Sequence, residues 1–206
     1  MNYYISDTHF NHENILKFDG RPFKDCQEME EKLIENWNSR VKRHDRVYIL
    51  GDFCWGNAEE WNRIIDKLRG EKVLILGNHD RIAVSRPKTW EEPKNRKTQK
   101  QILRGKFHRI FDYYEAKEDG WTTIMCHYPI PFYKNSFDPK TVMLHGHVHR
   151  YTHEAEQLGE VVKYLKESHK SQIDNKAQII NVGCMMPYMD YTPRTLKELL
   201  AVNNIG

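Results

Sequence analysis

Five short clusters of metal-binding residue types lie between residues 7 and 149 of this chain. Each cluster contains carboxylate, amide or imidazole groups, which are ligands for divalent transition metals. In chain order they are Asp7-x-His9, Gly51-Asp52, Gly77-Asn78-His79-Asp80, His127 and Gly146-His147-x-His149. One such cluster is common by chance, and a lone histidine is usually a hydrogen-bonded structural residue. Five clusters in one chain predict a metal centre.

Each cluster comes directly after a run of β-forming residues, which indicates where these groups lie in the fold. The runs cover residues 3–5, 46–50, 73–76, 122–126 and 142–144. They are apolar with little alternation, the pattern of strands that are buried on both faces. Asp25 with Glu28, and Asn57 with Glu60, predict capped helices between them. Alternating strands and helices indicate an α/β layered fold, in which ligands collect at the carboxyl ends of the strands.

The composition is that of one ordinary globular domain. Apolar residues make up 39% of the 206 residues, and 32 basic residues stand against 29 acidic ones. This balance does not favour a general polyanion binder. The four cysteines are far apart, which argues against a disulfide framework and predicts a reducing compartment, the cytoplasm. We expect no membrane span and no signal peptide, because no long apolar run is present.

The five clusters together resemble the signature of the calcineurin-like metallophosphoesterases: D-x-H, G-D, G-N-H-[DE], H and G-H-x-H. The match covers residues 7–149, and residues 179–183 fit the family's closing strand. The opening Ser6-Asp7-Thr8-His9-Phe10, with His12 and Asn14, is similar to small single-domain members. The resemblance implies a single domain over residues 1–206. It also implies a four-layer αββα sandwich of two mixed β-sheets flanked by helices, with a dinuclear metal site at the carboxyl ends of the strands.

The resemblance further implies seven ligands for two divalent ions. By position, the first ion is held by Asp7, His9, Asp52 and His149, and the second by Asp52, Asn78, His127 and His147. Asp52 bridges the two ions. Imidazole-rich sites suit Mn, Fe, Ni, Co or Zn better than Mg or Ca. The implied reaction is attack on phosphorus by a hydroxide that bridges the metals.

Three further residues have expected roles beside the ligands. His79 corresponds to the family's histidine that is not a ligand, and it is the candidate general acid for the leaving group. We expect Asp80 to hydrogen-bond the other ring nitrogen of His79 and to raise its pKa. A purely structural role for His79 is the alternative. His12, three residues after a ligand, is a candidate substrate-binding residue, and a surface capping role fits it equally well.

The leading functional hypothesis is a phosphodiesterase acting on a small nucleotide or cyclic nucleotide-like substrate. The same site also suits a phosphomonoesterase or a single-strand nuclease. A non-catalytic scaffold is disfavoured, because all seven ligands and His79 are present. A serine/threonine protein phosphatase is disfavoured because Gly56 stands where those relatives carry a phosphate-gripping arginine. Four aromatic residues suit stacking on a base or core packing equally: Trp55, Trp90, Tyr128 and Tyr133.

Two segments interrupt the alternation of strands and helices. Residues 81–109 contain ten lysines and arginines against two glutamates. This basic insertion is either a solvated surface or an electrostatic rim that attracts phosphate or nucleic acid. Residues 153–176 form a helical insertion with an apolar stripe. The natural substrate, the metal in the cell, the oligomeric state and the pathway stay open.

Overall fold

The computed structural model describes residues 1–80, 83, 106–167 and 178–204. Within these residues the chain forms five helices and eight strands. The helices are α1 (Ile15–Asp19), α2 (Cys26–Arg40), α3 (Ala58–Ile65), α4 (His153–Glu167) and α5 (Leu196–Val202). The strands are β1 (Asn2–Ile5), β2 (Arg46–Ile49), β3 (Glu71–Ile75), β4 (Arg109–Phe111), β5 (Tyr113–Glu118), β6 (Trp121–Cys126), β7 (Thr141–His145) and β8 (Ile179–Asn181).

The strands form two four-stranded sheets, which confirms the α/β fold class. The first sheet has the order β1-β2-β3-β4, and all of its neighbouring strands are parallel. The second has the order β5-β6-β7-β8, and only β5 runs antiparallel to its neighbour. The mixed character expected of both sheets is therefore found in the second. Helices α1 and α2 connect β1 to β2, and α3 connects β2 to β3, which are the crossover connections that parallel pairing requires.

The alternation of side chains along β1 shows how the layers stack. The Tyr3 hydroxyl donates a hydrogen bond of 3.2 Å to the carbonyl of Arg40 in α2. The hydroxyl of the next residue, Tyr4, donates a hydrogen bond of 2.5 Å to the Glu118 carboxylate on β5. Neighbouring side chains of a strand point to opposite faces. Helix α2 therefore covers the outer face of the first sheet, and the second sheet packs on its inner face.

Backbone hydrogen bonds also join the two sheets just beyond β1. The Ser6 N–H donates to the carbonyl of Val182, and the Cys184 N–H donates to the carbonyl of Ser6, both at 2.8 Å. Ser6 and Gly183 thus form a parallel bridge. The bridge places the carboxyl end of β1 beside that of β8. The strand ends of both sheets consequently meet at one edge of the molecule.

Side-chain caps begin the two helices that the sequence predicts. The Asp25 carboxylate accepts a hydrogen bond of 2.8 Å from the Glu28 N–H at the start of α2. The Asn57 side chain accepts from the Glu59 and Glu60 N–H groups at the start of α3, at 2.9 and 3.1 Å. Glu60 in turn accepts from the Asn57 N–H at 2.9 Å. This reciprocal pair is a complete capping box.

Both predicted insertions extend beyond the described residues. Residues 81–82 and 84–105 of the basic insertion lie outside them, and so does the electrostatic rim expected there. The helical insertion forms α4 as far as Glu167, and residues 168–177 lie outside the described part. Among the described residues, no helix combines the length and the apolar character that crossing a bilayer requires.

Replacing Asn57 by alanine removes the acceptor of both cap hydrogen bonds. We expect the Asn57→Ala variant to lose about 1 kcal/mol of unfolding free energy. Asn57→Ser is the matched control, because a serine hydroxyl also accepts hydrogen bonds from the first helical turn. Urea denaturation followed by circular dichroism measures both variants. If the two variants were equally stable, the cap would not be what stabilises α3.

Candidate metal centre

The five polar clusters lie just beyond the carboxyl ends of β1, β2, β3, β6 and β7. Because the ends of both sheets meet at one edge, the clusters converge there. Contacts between neighbouring side chains link all seven expected ligands, Asp7, His9, Asp52, Asn78, His127, His147 and His149. This is the crevice in which α/β sheets bind ligands.

Four of these residues have left-handed backbone conformations. The φ angles are 53° at Asp7, 47° at His9, 50° at Asp52 and 66° at His147. Residues other than glycine rarely adopt such angles, because the Cβ atom crowds the backbone carbonyl. The conformation turns the chain sharply after the strand and directs the side chain to the crevice. Such outliers cluster at functional sites, where the surrounding structure holds them in place.

One group of ligand atoms comes from Asp7, His9 and His149, and these atoms lie within 4.8 Å of one another. His149 Nε2 is 3.7 Å from Asp7 Oδ1, and His9 Nε2 is 3.7 Å from Asp52 Oδ2. His9 Nε2 is buried without a hydrogen-bond partner in the described structure. A buried polar atom without a partner is unfavourable. A cation at this point would use its lone pair.

A second group forms around the Asn78 side-chain oxygen. His127 Nε2 and His147 Nδ1 each lie 3.0 Å from Asn78 Oδ1. His127 Nε2 is also 3.5 Å from Asp52 Oδ2. The other ring nitrogen of His127 donates to the Leu50 carbonyl at 2.7 Å, which fixes the ring and directs Nε2 at the group.

The pKa values of the two aspartates are shifted in opposite directions, that of Asp7 by burial and that of Asp52 by its histidine neighbours. Burial raises the pKa of Asp7 above its ordinary value. Burial acts in the same way on Asp52, but the hydrogen bond and charge of His127, together with the charge of His9, hold the pKa of Asp52 below its usual range. The pKa of His9 is well below its ordinary value, chiefly because of burial and also because of nearby Arg21. A neutral imidazole is the form that binds a metal.

Two glycines allow the backbone to approach the carboxylates closely. A Cβ atom on Gly77 would lie 2.5 Å from the Asp52 backbone nitrogen, and one on Gly146 would lie 2.5 Å from Asp7 Oδ2. Neither position has space for a side chain. Carboxylate, amide and imidazole donors that converge in a buried cradle, with one nitrogen lacking a partner, fit a divalent transition-metal ion.

The expected hydrogen bond between Asp80 and the ring of His79 is wrong. The Asp80 carboxylate is buried and accepts from three backbone N–H groups, those of Asp52 at 2.9 Å, Phe53 at 3.0 Å and Gly77 at 2.8 Å. Burial raises the pKa of Asp80 to about 6, and the charge of Asp52 acts in the same direction. Asp80 thus ties the turn after β2 to the turn after β3.

His79 and His12 lie beside the ligands. The His79 N–H donates to Asp52 Oδ1 at 2.9 Å, and its exposed ring is 5.8 Å from the His9 ring and 5.1 Å from the Trp55 ring between centroids. The His12 ring stacks on Trp55 with centroids 4.2 Å apart. His12 Nδ1 is also 3.3 Å from His9 Nδ1. Both histidines are therefore placed to contact a molecule that binds at the site.

These side chains line a cleft of about 370 Å³. Asn14, Ile15 and Phe18 of the α1 region form one part of its lining, and Thr152 and Glu154 at the start of α4 form another. Among the described residues, no lysine or arginine lines the cleft. Among these described lining residues, the groups that can carry positive charge are the histidines.

Asp19 and Arg21, which the sequence analysis did not single out, hold candidate ligands in place from the side away from the cleft. Asp19 Oδ1 is 2.5 Å from His149 Nδ1, and Asp19 Oδ2 accepts from Arg21 Nε at 2.9 Å. The Arg21 guanidinium also donates to the backbone carbonyls of Asp7 and Thr8, at 2.8 and 3.0 Å. One buried ion pair therefore connects the turn after β1 to a ligand that follows β7.

The contacts of Asp19 with His149 and Arg21 determine its protonation state. Burial alone would raise the pKa of Asp19, but the hydrogen bond to His149 and the charge of Arg21 hold it below its usual range. Asp19 is therefore a carboxylate that accepts from His149 Nδ1, which leaves Nε2 to face Asp7. The one sequence signal near this pair is Gly20, which ends α1 with a left-handed φ of 59°.

A family model described as calcineurin-like phosphoesterase matches residues 3–169 of the chain. The chain belongs to this family. The resemblance noted from the motifs is thereby confirmed. Membership of the calcineurin-like phosphoesterases identifies a metal-dependent hydrolase of phosphoric esters, and the Asp/His cluster is its candidate metal-binding site.

Relatives of the chain in this family are similar along most of their length. An uncharacterised protein of Methanocaldococcus jannaschii, MJ1445, is 33% identical over 181 residues, which cover 87% of this chain and 82% of that protein. The gene 66 protein of Mycobacterium phage L5 is 25% identical over 170 residues, 71% of this chain and 76% of that protein. A crystal structure of a protein of unknown function from Aquifex aeolicus, AQ665, superposes with a TM-score of 0.58 at 28% identity and covers 98% of both chains.

The contact between Asp19 and His149 predicts an effect on metal affinity. We expect Asp19→Asn to weaken metal binding by about 10- to 100-fold, because His149 loses the carboxylate that orients its ring. Calorimetric titration of metal-free protein with Mn²⁺ or Zn²⁺ measures the affinity. Asp66→Asn is the matched control, because Asp66 pairs with Lys106 on the surface. Unchanged affinity in a folded Asp19→Asn variant would limit Asp19 to a structural role.

Proposed function

We propose that this protein hydrolyses a phosphodiester of the nucleotide or cyclic nucleotide type with the help of two divalent transition-metal ions. The position of the Asp52 carboxylate carries the proposal. Asp52 Oδ2 is 3.7 Å from His9 Nε2 and 3.5 Å from His127 Nε2, between the two groups of ligand atoms. A carboxylate in this position could serve both groups, as the shared ligand of a two-metal hydrolase site would.

The two groups divide the seven ligands between the ions. The first ion would be held by Asp7, His9, Asp52 and His149, and the second by Asp52, Asn78, His127 and His147. Asp7 also lies within reach of the second group, since its carboxylate is within 4.8 Å of the ligand atoms of Asp52 and His127. The mixed nitrogen and oxygen donors suit Mn, Fe, Co, Ni or Zn. Such ions supply a nucleophilic water at neutral pH and offset charge on the phosphate.

His79 is the proposed general acid. It belongs to neither ligand group, its ring is exposed to the cleft, and its backbone N–H is anchored on the Asp52 carboxylate. The imidazole can therefore reach a leaving oxygen without giving up a metal ligand, and it protonates that oxygen as the ester bond breaks. The Asp80 carboxylate accepts from backbone N–H groups and does not hold the His79 ring. The ring lies instead beside that of Trp55.

The charge of the cleft favours a diester over a monoester. Enzymes that transfer a phosphoryl dianion usually place arginine, lysine or additional metal around it. The described lining of this cleft contains no lysine or arginine, and the Glu154 carboxylate adds a negative charge. The buried Arg21 does not serve, because its guanidinium is used by Asp19 and by backbone carbonyls. A diester carries one negative charge fewer and suits this environment better.

The proposal extends to the setting of the reaction. We place the protein in the cytoplasm, which is supported by four cysteines that are all free thiols. The substrate is a small phosphate ester, in keeping with a cleft of about 370 Å³. His12 would contact this substrate from its position in the lining.

Hydrolysis of two model esters tests the diester preference. Protein stripped of metal and reloaded with Mn²⁺, Ni²⁺ or Zn²⁺ should show a higher kcat/KM for bis-p-nitrophenyl phosphate than for p-nitrophenyl phosphate. Asp52→Asn should reduce this activity by more than about 100-fold and lower the metal content from two ions per chain, because both groups use its carboxylate. Asp66→Asn serves as the surface control. Preference for the monoester would contradict the phosphodiesterase proposal and indicate a phosphatase. Absence of bound metal would contradict the proposed metal site.

Dependence on the leaving group tests the role of His79. We expect His79→Ala to lower kcat by about 10²- to 10⁴-fold with an alkoxide leaving group. With p-nitrophenolate the loss should be much smaller, because this group leaves without protonation. His44→Ala, an exposed histidine before β2, is the matched control. An equal loss for both leaving groups would show that His79 maintains the structure and donates no proton.

A further inference from the structure

We propose that the substrate carries a nucleobase on at least one side of the phosphodiester, and that Phe18 and Trp55, at opposite sides of the candidate metal centre, each provide a surface on which one planar group of the substrate stacks. This inference rests on the proposed phosphodiesterase function. It starts from a row of five rings that passes through the candidate metal centre. In order, the rings belong to Trp55, His12, His9, His149 and Phe18.

The row has metal-binding residues near its centre and exposed aromatic residues at both ends. The ring centroids are 4.2 Å apart for Trp55 and His12, 5.2 Å for His12 and His9, 5.4 Å for His9 and His149, and 5.3 Å for His149 and Phe18. His9 and His149 belong to the first ligand group. A phosphate held there would therefore have Phe18 one ring beyond His149 on one side and Trp55 two rings beyond His9 on the other.

The short helix α1 explains why Phe18 faces the cleft. Ile15 and Asp19, four residues apart on one face of the helix, are buried. Phe18, three residues after Ile15, is 63% exposed and contributes with Ile15 to the lining of the cleft. Its ring touches the protein edge-on at His149. A planar ligand could cover much of this apolar surface, which is otherwise in water.

Trp55 differs from the described tryptophans of the core. Trp37 and Trp61 are fully buried, whereas Trp55 is 44% exposed. Its backbone N–H donates to the Phe10 carbonyl at 2.7 Å, which anchors it beside the turn after β1. Its ring lies against His12, and the proposed general acid His79 is 5.1 Å away. A base on Trp55 would therefore be next to the reacting ester bond.

Three polar residues that line the cleft are consistent with binding of a nucleoside. Asn14, Thr152 and Glu154 offer amide, hydroxyl and carboxylate groups of the kind that hydrogen-bond sugar hydroxyls. Base stacking is sequence-tolerant and contributes about 5- to 100-fold to affinity per base. Two other aromatic residues named in the sequence analysis have different surroundings. Tyr133 is buried and donates a hydrogen bond to the Gln178 carbonyl, and Tyr128 packs edge-on against His127 and His147. Trp90 lies outside the described residues.

Two esters that share a leaving group isolate the contribution of the base. Thymidine 5′-(p-nitrophenyl phosphate) and methyl p-nitrophenyl phosphate release the same phenolate, and only the first carries a nucleoside. We expect the nucleoside ester to have a kcat/KM at least about tenfold higher, mainly through a lower KM. Phe18→Ala and Trp55→Ala should each reduce this ratio, whereas Phe18→Tyr should preserve it. Phe132→Ala is the matched control, because Phe132 is 81% exposed and belongs neither to the cleft lining, which includes Phe18, nor to the row of rings that includes Trp55.

A binding measurement separates this inference from the proposed function. Titration with thymidine 5′-monophosphate should quench tryptophan fluorescence, and Trp55→Phe should remove most of the quench. Equal KM values for the two esters in the active wild-type enzyme, without a quench, would overturn the base site and leave the phosphodiesterase in place. A quench without hydrolysis of either ester would support the base site and overturn the phosphodiesterase.

Discussion

Two aspartates buried side by side impose the strongest constraint on this structure. Asp7 is 0% and Asp52 is 2% exposed, so each has lost its hydration next to another acid. Burying a carboxylate is unfavourable unless hydrogen bonds or opposite charges replace water. The fold provides both: the His147 N–H donates to Asp7, the His79 N–H donates to Asp52, and imidazoles surround the pair. A bound metal ion would complete this compensation, which accounts for the acids and the histidines lying together.

Rigid supports keep these groups in place when the cation is absent. Asp80 joins the turns after β2 and β3 through three backbone hydrogen bonds, and Arg21 holds two carbonyls of the turn after β1. Left-handed backbone at Asp7 and Asp52 would otherwise relax. The supports lie beneath the cleft, whereas Phe18 and Trp55 are partly exposed, Phe18 in the cleft lining and Trp55 stacked on His12. Fixed ligands and accessible side walls thus come from different parts of the same short loops.

Much of the fold, and the convergence of the candidate ligands at one edge, could be predicted from the sequence, because those signals are local. An apolar run followed by Asp, Asn or His marks both a strand and the group at its end. Strands β4 and β5 gave no such signal, since they are short or half-exposed and contain charged residues. Asp19 could not be assigned to His149, because their contact joins residues 130 positions apart. For Asp80 the adjacent histidine suggested a partner, but the buried carboxylate satisfies backbone donors that no sequence pattern reveals.

The bridge between Ser6 and Gly183 has a consequence for how the domain opens. The candidate ligands come from both sheets, and this pairing joins the backbones of the two sheets by hydrogen bonds beside the site. Separating the sheets would therefore move the candidate ligands of the first sheet away from those of the second. Because a cation binds only the assembled set, its binding free energy adds to the cohesion of the whole sandwich. Amide hydrogen exchange deep in both sheets should consequently slow when metal is present, far from any atom that touches the ion.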